Sequence, residues 1–168
     1  ARIAGSFLSW VCRCISFLAG TKLTLLGAER VPGDTPVLYA GNHRSYFDIV
    51  TVFPHCRNTT GFVGKVELER IPILSRWMRY IRCEFLDRND LRQGLKTILK
   101  CVDNVKDGFS MFIFPEGTRS KTQALLQGKE GVVLMASKTR APIISLSIIG
   151  SEKWADEFKH FRKPKITL

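Results

Sequence analysis

His43 and Asp48 stand five positions apart in the stretch Pro36-Val37-Leu38-Tyr39-Ala40-Gly41-Asn42-His43-Arg44-Ser45-Tyr46-Phe47-Asp48. An imidazole supported by a carboxylate can take a proton as a general base, the carboxylate fixing the tautomer. Inside one continuous helix this spacing would point the two side chains apart. With His43 just outside a helix and Asp48 in its first turn, the chain folds back and they can meet. A second reading of the aspartate stands beside this one: Ser45 followed three residues later by an acid is a capping-box pattern, in which Asp48 stabilises the first turn. His55 and His160 have no such partner in the sequence and read as surface residues.

Phe114-Pro115-Glu116-Gly117-Thr118-Arg119-Ser120 is the other stretch with chemistry in it. Gly117 lets backbone N–H groups approach an anion, Thr118 and Ser120 add hydroxyls, and Arg119 can clamp a phosphate with two hydrogen bonds. The glycine spacing and terminal Lys-Ser/Thr pair of a nucleotide-binding P-loop are missing. The alternative is a tight turn with a solvated arginine.

Both stretches follow apolar runs that read as buried strands. Strands are expected at Lys22–Gly27, 37–41, 61–65, Cys83–Leu86, Phe109–Phe114, 142–149 and Lys165–Leu168. Helices are expected from Ser45 to Phe53, ended by Pro54, from Pro72 to about Tyr80, over 90–106 and over 128–138. Leu91, Leu95, Ile98, Leu99 and Val102 form the apolar stripe of the third of these. Strands alternating with helices imply a single α/β domain, its largely parallel central sheet flanked by helices. Ligands of open α/β sheets sit beyond the C-terminal ends of the strands, where His43 and residues 115–120 fall. The two stretches share one crevice if their strands are neighbours.

Residues 3–19 precede this domain. Ile3, Phe7, Trp10, Cys14 and Leu18 recur at helical spacing beside the polar stripe Arg2, Ser6, Ser9, Arg13 and Ser16. No uninterrupted run approaches the roughly 20 residues that span a bilayer. Residues 1–20 are therefore read as an amphipathic helix lying in a membrane interface, the alternative being a helix packed on the domain's own core.

The 168 residues carry 26 Lys and Arg against 15 Asp and Glu, a formal charge of +11. The excess is spread along the chain, so no basic tail accounts for it. It suits an anionic partner: nucleic acid, an acidic membrane or a phosphorylated small molecule. Zinc-ligand spacing and aromatic–basic interleaving are missing, which argues against nucleic acid. The five cysteines form no metal-ligand spacing, their odd number suits a reducing compartment, and all read as packing residues.

The four blocks together resemble the glycerolipid acyltransferase family, most of all its 1-acylglycerol-3-phosphate acyltransferases. Asn42 to Asp48 resembles the family's His-x4-Asp block. Gly64-Lys65, Glu67-Leu68, Ile71-Pro72 and Phe85-Leu86-Asp87-Arg88 resemble the second, Phe114 to Ser120 the third, and Ala141-Pro142-Ile143-Ile144 the fourth. The resemblance covers roughly 20–150, in family order, so 21–168 is expected to be an acyltransferase domain, short at its C-terminal end. It implies acyl transfer from acyl-CoA or acyl-carrier protein to the hydroxyl of lysophosphatidate, giving phosphatidate. His43 is then the base and Asp48 its support. Arg119, Gly117, Thr118, Lys65 and Arg88 bind the acceptor phosphate, and Glu116 with Pro115 braces the loop. It implies no metal or cofactor. The implied partners are an anionic phospholipid membrane, the lysophospholipid acceptor and acyl-carrier protein, with no nucleic acid. The implied location is the cytoplasmic face of a membrane, interfacial rather than clearly spanning.

The family often has Gly where this chain has Ser75, Arg82 and Gln123, and Pro-Phe where it has Gln127-Gly128. These departures are expected beside the acceptor and acyl sites, so they keep another acceptor open: glycerol-3-phosphate or another lysophospholipid. A non-catalytic lipid- or nucleic-acid-binding module is the reading from another class.

Overall fold

The computed structural model describes residues 2–118, 130–154 and 163–168. In chain order the elements are α1 (Arg2–Leu18), β1 (Lys22–Thr24), β2 (Leu38–Gly41), α2 (Phe47–Val52), β3 (Thr60–Lys65), α3 (Pro72–Tyr80), β4 (Glu84–Leu86), α4 (Leu91–Lys106), β5 (Ser110–Ile113), α5 (Gly131–Thr139), β6 (Ile143–Leu146) and β7 (Lys165–Thr167). Five strands form one sheet in the order β4-β3-β5-β2-β6, and every pairing in it is parallel. β1 and β7 lie outside that sheet and pair with each other, also in parallel.

The central strands are apolar on both faces because both faces are covered. Tyr39 and Phe112 point into a core completed by Phe47, Val52, Phe62 and Ile81, on the side of α1, α2 and α3. Leu38, Met111 and Ile113, their neighbours in the alternation, point into a second core with Ile98, Cys101, Val102, Val132 and Met135 of α4 and α5.

Several elements differ from the sequence expectation. β1 stops at Thr24, and β6 covers only the first half of the apolar run 142–149, because the Ile149 N–H and carbonyl bond to Thr167 instead. The α-helix after His43 stops at Val52, and a 3-10 turn, Phe53–His55, takes in Pro54 near its start. The leucine stripe of α4 divides. Ile98 and Val102 are buried, whereas Leu91 is 90% exposed, and Leu95 and Leu99 also face outward. The helix meets its core through Ile98, Cys101, Val102 and Val105. The expected helix start at 128 lies outside the described residues, as does His160.

α1 packs one side on the core and leaves large apolar side chains exposed on the other. Ala4, Leu8 and Cys12 pack on the core. Ile3 (88%), Phe17 (82%), Leu18 (79%) and Trp10 (61%) face outward. Among the described residues no helix is long and apolar enough to cross a membrane.

His55 is half-buried rather than a surface residue. Burial, and secondarily the charge of Arg13, hold its imidazole below the ordinary range.

All five cysteines are free thiols. Cys83 and Cys101 are core residues, Cys12 and Cys56 pack at a core edge, and Cys14 joins neither cluster. Burial pushes the Cys83 thiol up to about 12 and raises Cys101 as well. Because the thiolate is the reactive form, iodoacetamide at neutral pH leaves these two unmodified in the folded chain. Peptide mass spectrometry before and after denaturation checks this; labelling of either in the native chain at the rate of a free thiol would contradict it.

Candidate active site

β2 and β5 are adjacent, with Leu38 opposite Met111 and Ala40 opposite Ile113, so their C-terminal ends emerge side by side. The condition under which the two sequence stretches share a crevice is thereby met. β2 must end in glycine, since a Cβ on Gly41 would come within 2.8 Å of the Phe112 ring. The chain then turns through Asn42–Tyr46 into α2.

Asp48 is fully buried. Its Oδ2 accepts from the His43 imidazole Nδ1 at 2.8 Å, the Arg44 N–H at 2.8 Å and the Ser45 N–H at 2.9 Å. The Ser45 hydroxyl accepts from the Phe47 N–H at 3.1 Å. Only half of the capping box forms: Asp48 Oδ2 takes the Ser45 N–H, whereas the Asp48 N–H goes to the Ser45 carbonyl at 3.3 Å and the helix begins after Tyr46 without a side-chain cap. An ionised carboxylate only accepts, so Nδ1 carries the proton and Nε2 keeps its lone pair.

Glu116 is buried, and its Oε1 accepts from the His43 backbone N–H at 3.3 Å. It ties the turn after β5 to the histidine loop. Its Oε2 has no hydrogen-bond partner among the described residues. Gly117 differs from its expected use. Its φ is +66°, and its N–H donates to the Phe114 carbonyl at 3.0 Å. The glycine is there for the left-handed turn, and its N–H is committed to closing that turn.

A crevice of about 690 Å³ opens beside these residues. His43, Lys65, Arg88, Pro115, Gly117 and Thr118 line it together. Arg119 lies outside the described residues. Lys65 is paired with Glu67 at 2.5 Å at the crevice edge, and hydrogen bonding to Lys65 lowers the Glu67 carboxyl below its usual range. The apolar part of the wall includes Leu68, Leu86, Leu91, Leu95, Ile98 and Ile113. Leu91 and Leu95 of α4, which the core leaves out, therefore serve the crevice. Among the described residues no three His, Cys, Asp or Glu side chains converge as metal ligands.

Ser75 and Arg82 do not line the crevice, contrary to expectation. Ser75 is buried in α3, where its hydroxyl donates to the Pro72 carbonyl. Arg82 has φ +62°, the left-handed region that glycine adopts without cost. Both departures concern local backbone and packing. Gln123, Gln127 and Gly128 lie outside the described residues.

Asn42 is a residue whose role its type and spacing do not announce. Its side chain donates to the Ile148 carbonyl at 2.9 Å and accepts from the Ile148 N–H at 2.7 Å, clamping the histidine loop to the chain beyond β6. Arg44 meets Glu152 at 3.4 Å nearby. No spacing rule announces either contact, because both join segments about a hundred residues apart.

The arrangement is that of an α/β protein with a histidine–carboxylate pair in the crevice of a parallel sheet. The profile of one protein family, described as Acyltransferase, matches residues 22–149. The chain belongs to this acyltransferase family. It is 33% identical over 148 residues to the chloroplastic 1-acyl-sn-glycerol-3-phosphate acyltransferase BAT2 of Brassica napus, covering 88% of this chain and 43% of that protein. It is 32% identical to the chloroplastic 1-acyl-sn-glycerol-3-phosphate acyltransferase LPAT1 of Arabidopsis thaliana, covering 88% and 41%. The chain thus spans less than half the length of these relatives. The crystal structure of the 1-acyl-sn-glycerophosphate acyltransferase PlsC from Thermotoga maritima shares the fold, with a TM-score of 0.80, 23% identity, and coverage of 97% of this chain and 65% of that one.

Proposed function

We propose that this chain transfers a fatty acyl group from a thioester, acyl-CoA or acyl-carrier protein, to the free hydroxyl of lysophosphatidate, giving phosphatidate. The observation that carries the reading is the His43 Nδ1 contact with buried Asp48, in a crevice that also presents Lys65 and Arg88. The family membership and the activities for which the relatives are named support the same reaction.

In this mechanism His43 Nε2 takes the hydroxyl proton as the oxygen attacks the thioester carbonyl. The carbon–sulfur bond breaks, and the imidazolium returns the proton to the departing thiol. Asp48 holds the imidazole and offsets its charge when it becomes cationic. Glu116 and Pro115 brace the loop. Lys65, Arg88, Thr118 and Arg119 hold the acceptor phosphate, with Lys65 exchanging Glu67 for it. Gly117 shapes the turn that presents Thr118.

The reaction's lipids reside in a bilayer, and the N-terminal helix supports an interfacial, membrane-associated enzyme. Trp10, Phe7, Trp77 and Tyr80 form a row of rings from α1 across to α3. The centroids are 6.1 Å apart between Phe7 and Trp10, 5.0 Å between Phe7 and Trp77 and 5.9 Å between Trp77 and Tyr80. Aromatic rings favour the headgroup level, and the +11 charge suits anionic lipid. Five free thiols suit the cytoplasmic face. Replacing Phe7 and Trp10 together by Ser is expected to weaken binding to anionic vesicles at least about ten-fold. Cosedimentation checks it; unchanged binding would count against this face.

The function is tested by offering radiolabelled lysophosphatidate in vesicles with acyl-CoA and with acyl-carrier protein separately. Phosphatidate with one donor supports the reading and identifies the carrier. Product only with glycerol-3-phosphate or another lysophospholipid would replace the acceptor, and no product with any acceptor would overturn the reading.

A further inference from the structure

The reading of His43 as the base leaves one of its contacts unused, and the inference drawn from that contact rests on that reading. The Phe114 ring lies against the imidazole with centroids 4.0 Å apart and planes 22° from parallel. Phe114 follows β5, is half-buried, and lines the crevice with His43. We propose that Phe114 is a positioning residue for His43, whose ring holds the imidazole on Asp48 and favours the imidazolium formed when the hydroxyl proton is taken.

Two features support this. The first is electrostatic. Between neutral rings a near-parallel stack gains only modestly, because the π faces repel unless the rings are offset. A cation over a phenyl face is instead attracted to it. The stack therefore gains strength when the imidazole becomes charged, which happens on the reaction path and not before. An interaction stronger in the transition state than in the ground state accelerates the chemical step.

The second is mechanical. Phe114 is the end of a ladder of rings rooted in the core. Phe112 lies 5.0 Å from Phe114, Phe62 lies 5.0 Å from Phe112, and Phe53 lies 5.8 Å from Phe62. Tyr39 meets Phe112 from β2 at 5.9 Å. The lower rungs are buried, so the ring that meets the imidazole is supported from behind and cannot readily turn away.

The charged groups around the imidazole come from several elements. Asp48 of α2 holds Nδ1, and Glu116 receives the His43 backbone N–H. The same crevice is lined by Lys65 at the end of β3, by Glu67 beyond it, and by Asp87, Arg88 and Asp90 between β4 and α4. Arg44, beside His43, is engaged by Glu152. Phe114→Leu keeps every one of these charges and an apolar side chain while removing the π face.

The experiment compares the parent, Phe114→Leu, Phe114→Tyr and His43→Ala in detergent micelles. The imidazole proton signals are followed by NMR against pH, and the signal lost in His43→Ala identifies residue 43. In Phe114→Leu the His43 proton signals are expected to titrate at lower pH than in the parent. Its kcat for acyl transfer is expected to fall about three- to thirty-fold with KM for lysophosphatidate unchanged. Phe114→Tyr keeps the ring and restores both. Should Phe114→Leu not fold, Phe114→Met is read in the same way. A midpoint that stays put or rises, or a kcat equal to the parent's, overturns the proposal while leaving the general-base reading in place. A His43→Ala variant as fast as the parent overturns that reading and this proposal with it.

Discussion

Asp48→Asn is expected to lower acyl transfer on the order of 10³- to 10⁴-fold while the chain stays folded. The carboxylate Oδ2 gathers three N–H donors: the imidazole Nδ1, Arg44 N and Ser45 N. An amide oxygen can still receive some of them, so the loop has a route to its native shape. What it lacks is charge. The imidazolium formed on proton transfer loses its counter-ion, and an amide turned to present its NH₂ group would reverse the histidine tautomer. Asp48→Ala goes further, stranding the three donors in a buried site, and is expected to cost about 3 kcal/mol of stability as well. Rates on lysophosphatidate, with thermal unfolding as the control, check both variants. An Asp48→Asn enzyme within ten-fold of the parent would mean that the aspartate only caps the helix.

Gly61→Ala is expected to be the most damaging single-methyl change in the sheet. A Cβ at residue 61 would sit 2.2 Å from the Arg82 carbonyl oxygen, 2.7 Å from its carbon and 3.1 Å from the Ile81 oxygen. All three are backbone atoms, so no side chain can swing aside. The backbone that would have to move is itself constrained, because Arg82 holds a left-handed turn between α3 and β4, and its carbonyl accepts from the Asn104 side chain. Relief would have to come from β3, which pairs with both β4 and β5. The expected loss exceeds about 3 kcal/mol, which for a domain of this size lowers Tm on the order of 10 °C. Calorimetry or circular dichroism reads this directly; a Tm within 3 °C of the parent would show that the two segments part easily.

The α/β alternation was legible because the central strands are short apolar runs and the helices carry capping and stop signals. Asp90, for example, accepts from the Arg92 and Gln93 N–H groups at the start of α4. Element ends were less legible, since they depend on partners elsewhere: Ile149 leaves the strand pattern because Thr167 takes its backbone. The leucines of α4 show another limit. Periodicity marks an apolar face without saying whether a core or a crevice meets it. At the site, His43 and Asp48 stood out by residue type and spacing, and Glu116 through the family resemblance alone. The clamp of Asn42 on Ile148 and the stack of Phe114 on His43 did not, because each depends on which strands become neighbours.

Phosphatidate formation by the parent and by His43→Ala, at equal folded protein, decides whether this chain moves an acyl group with His43 as its base. The predicted result is steady product from the parent and a loss on the order of 10³-fold or more in the variant, with unfolding temperature and vesicle binding unchanged. A His43→Ala chain that forms phosphatidate within ten-fold of the parent rate would contradict the account.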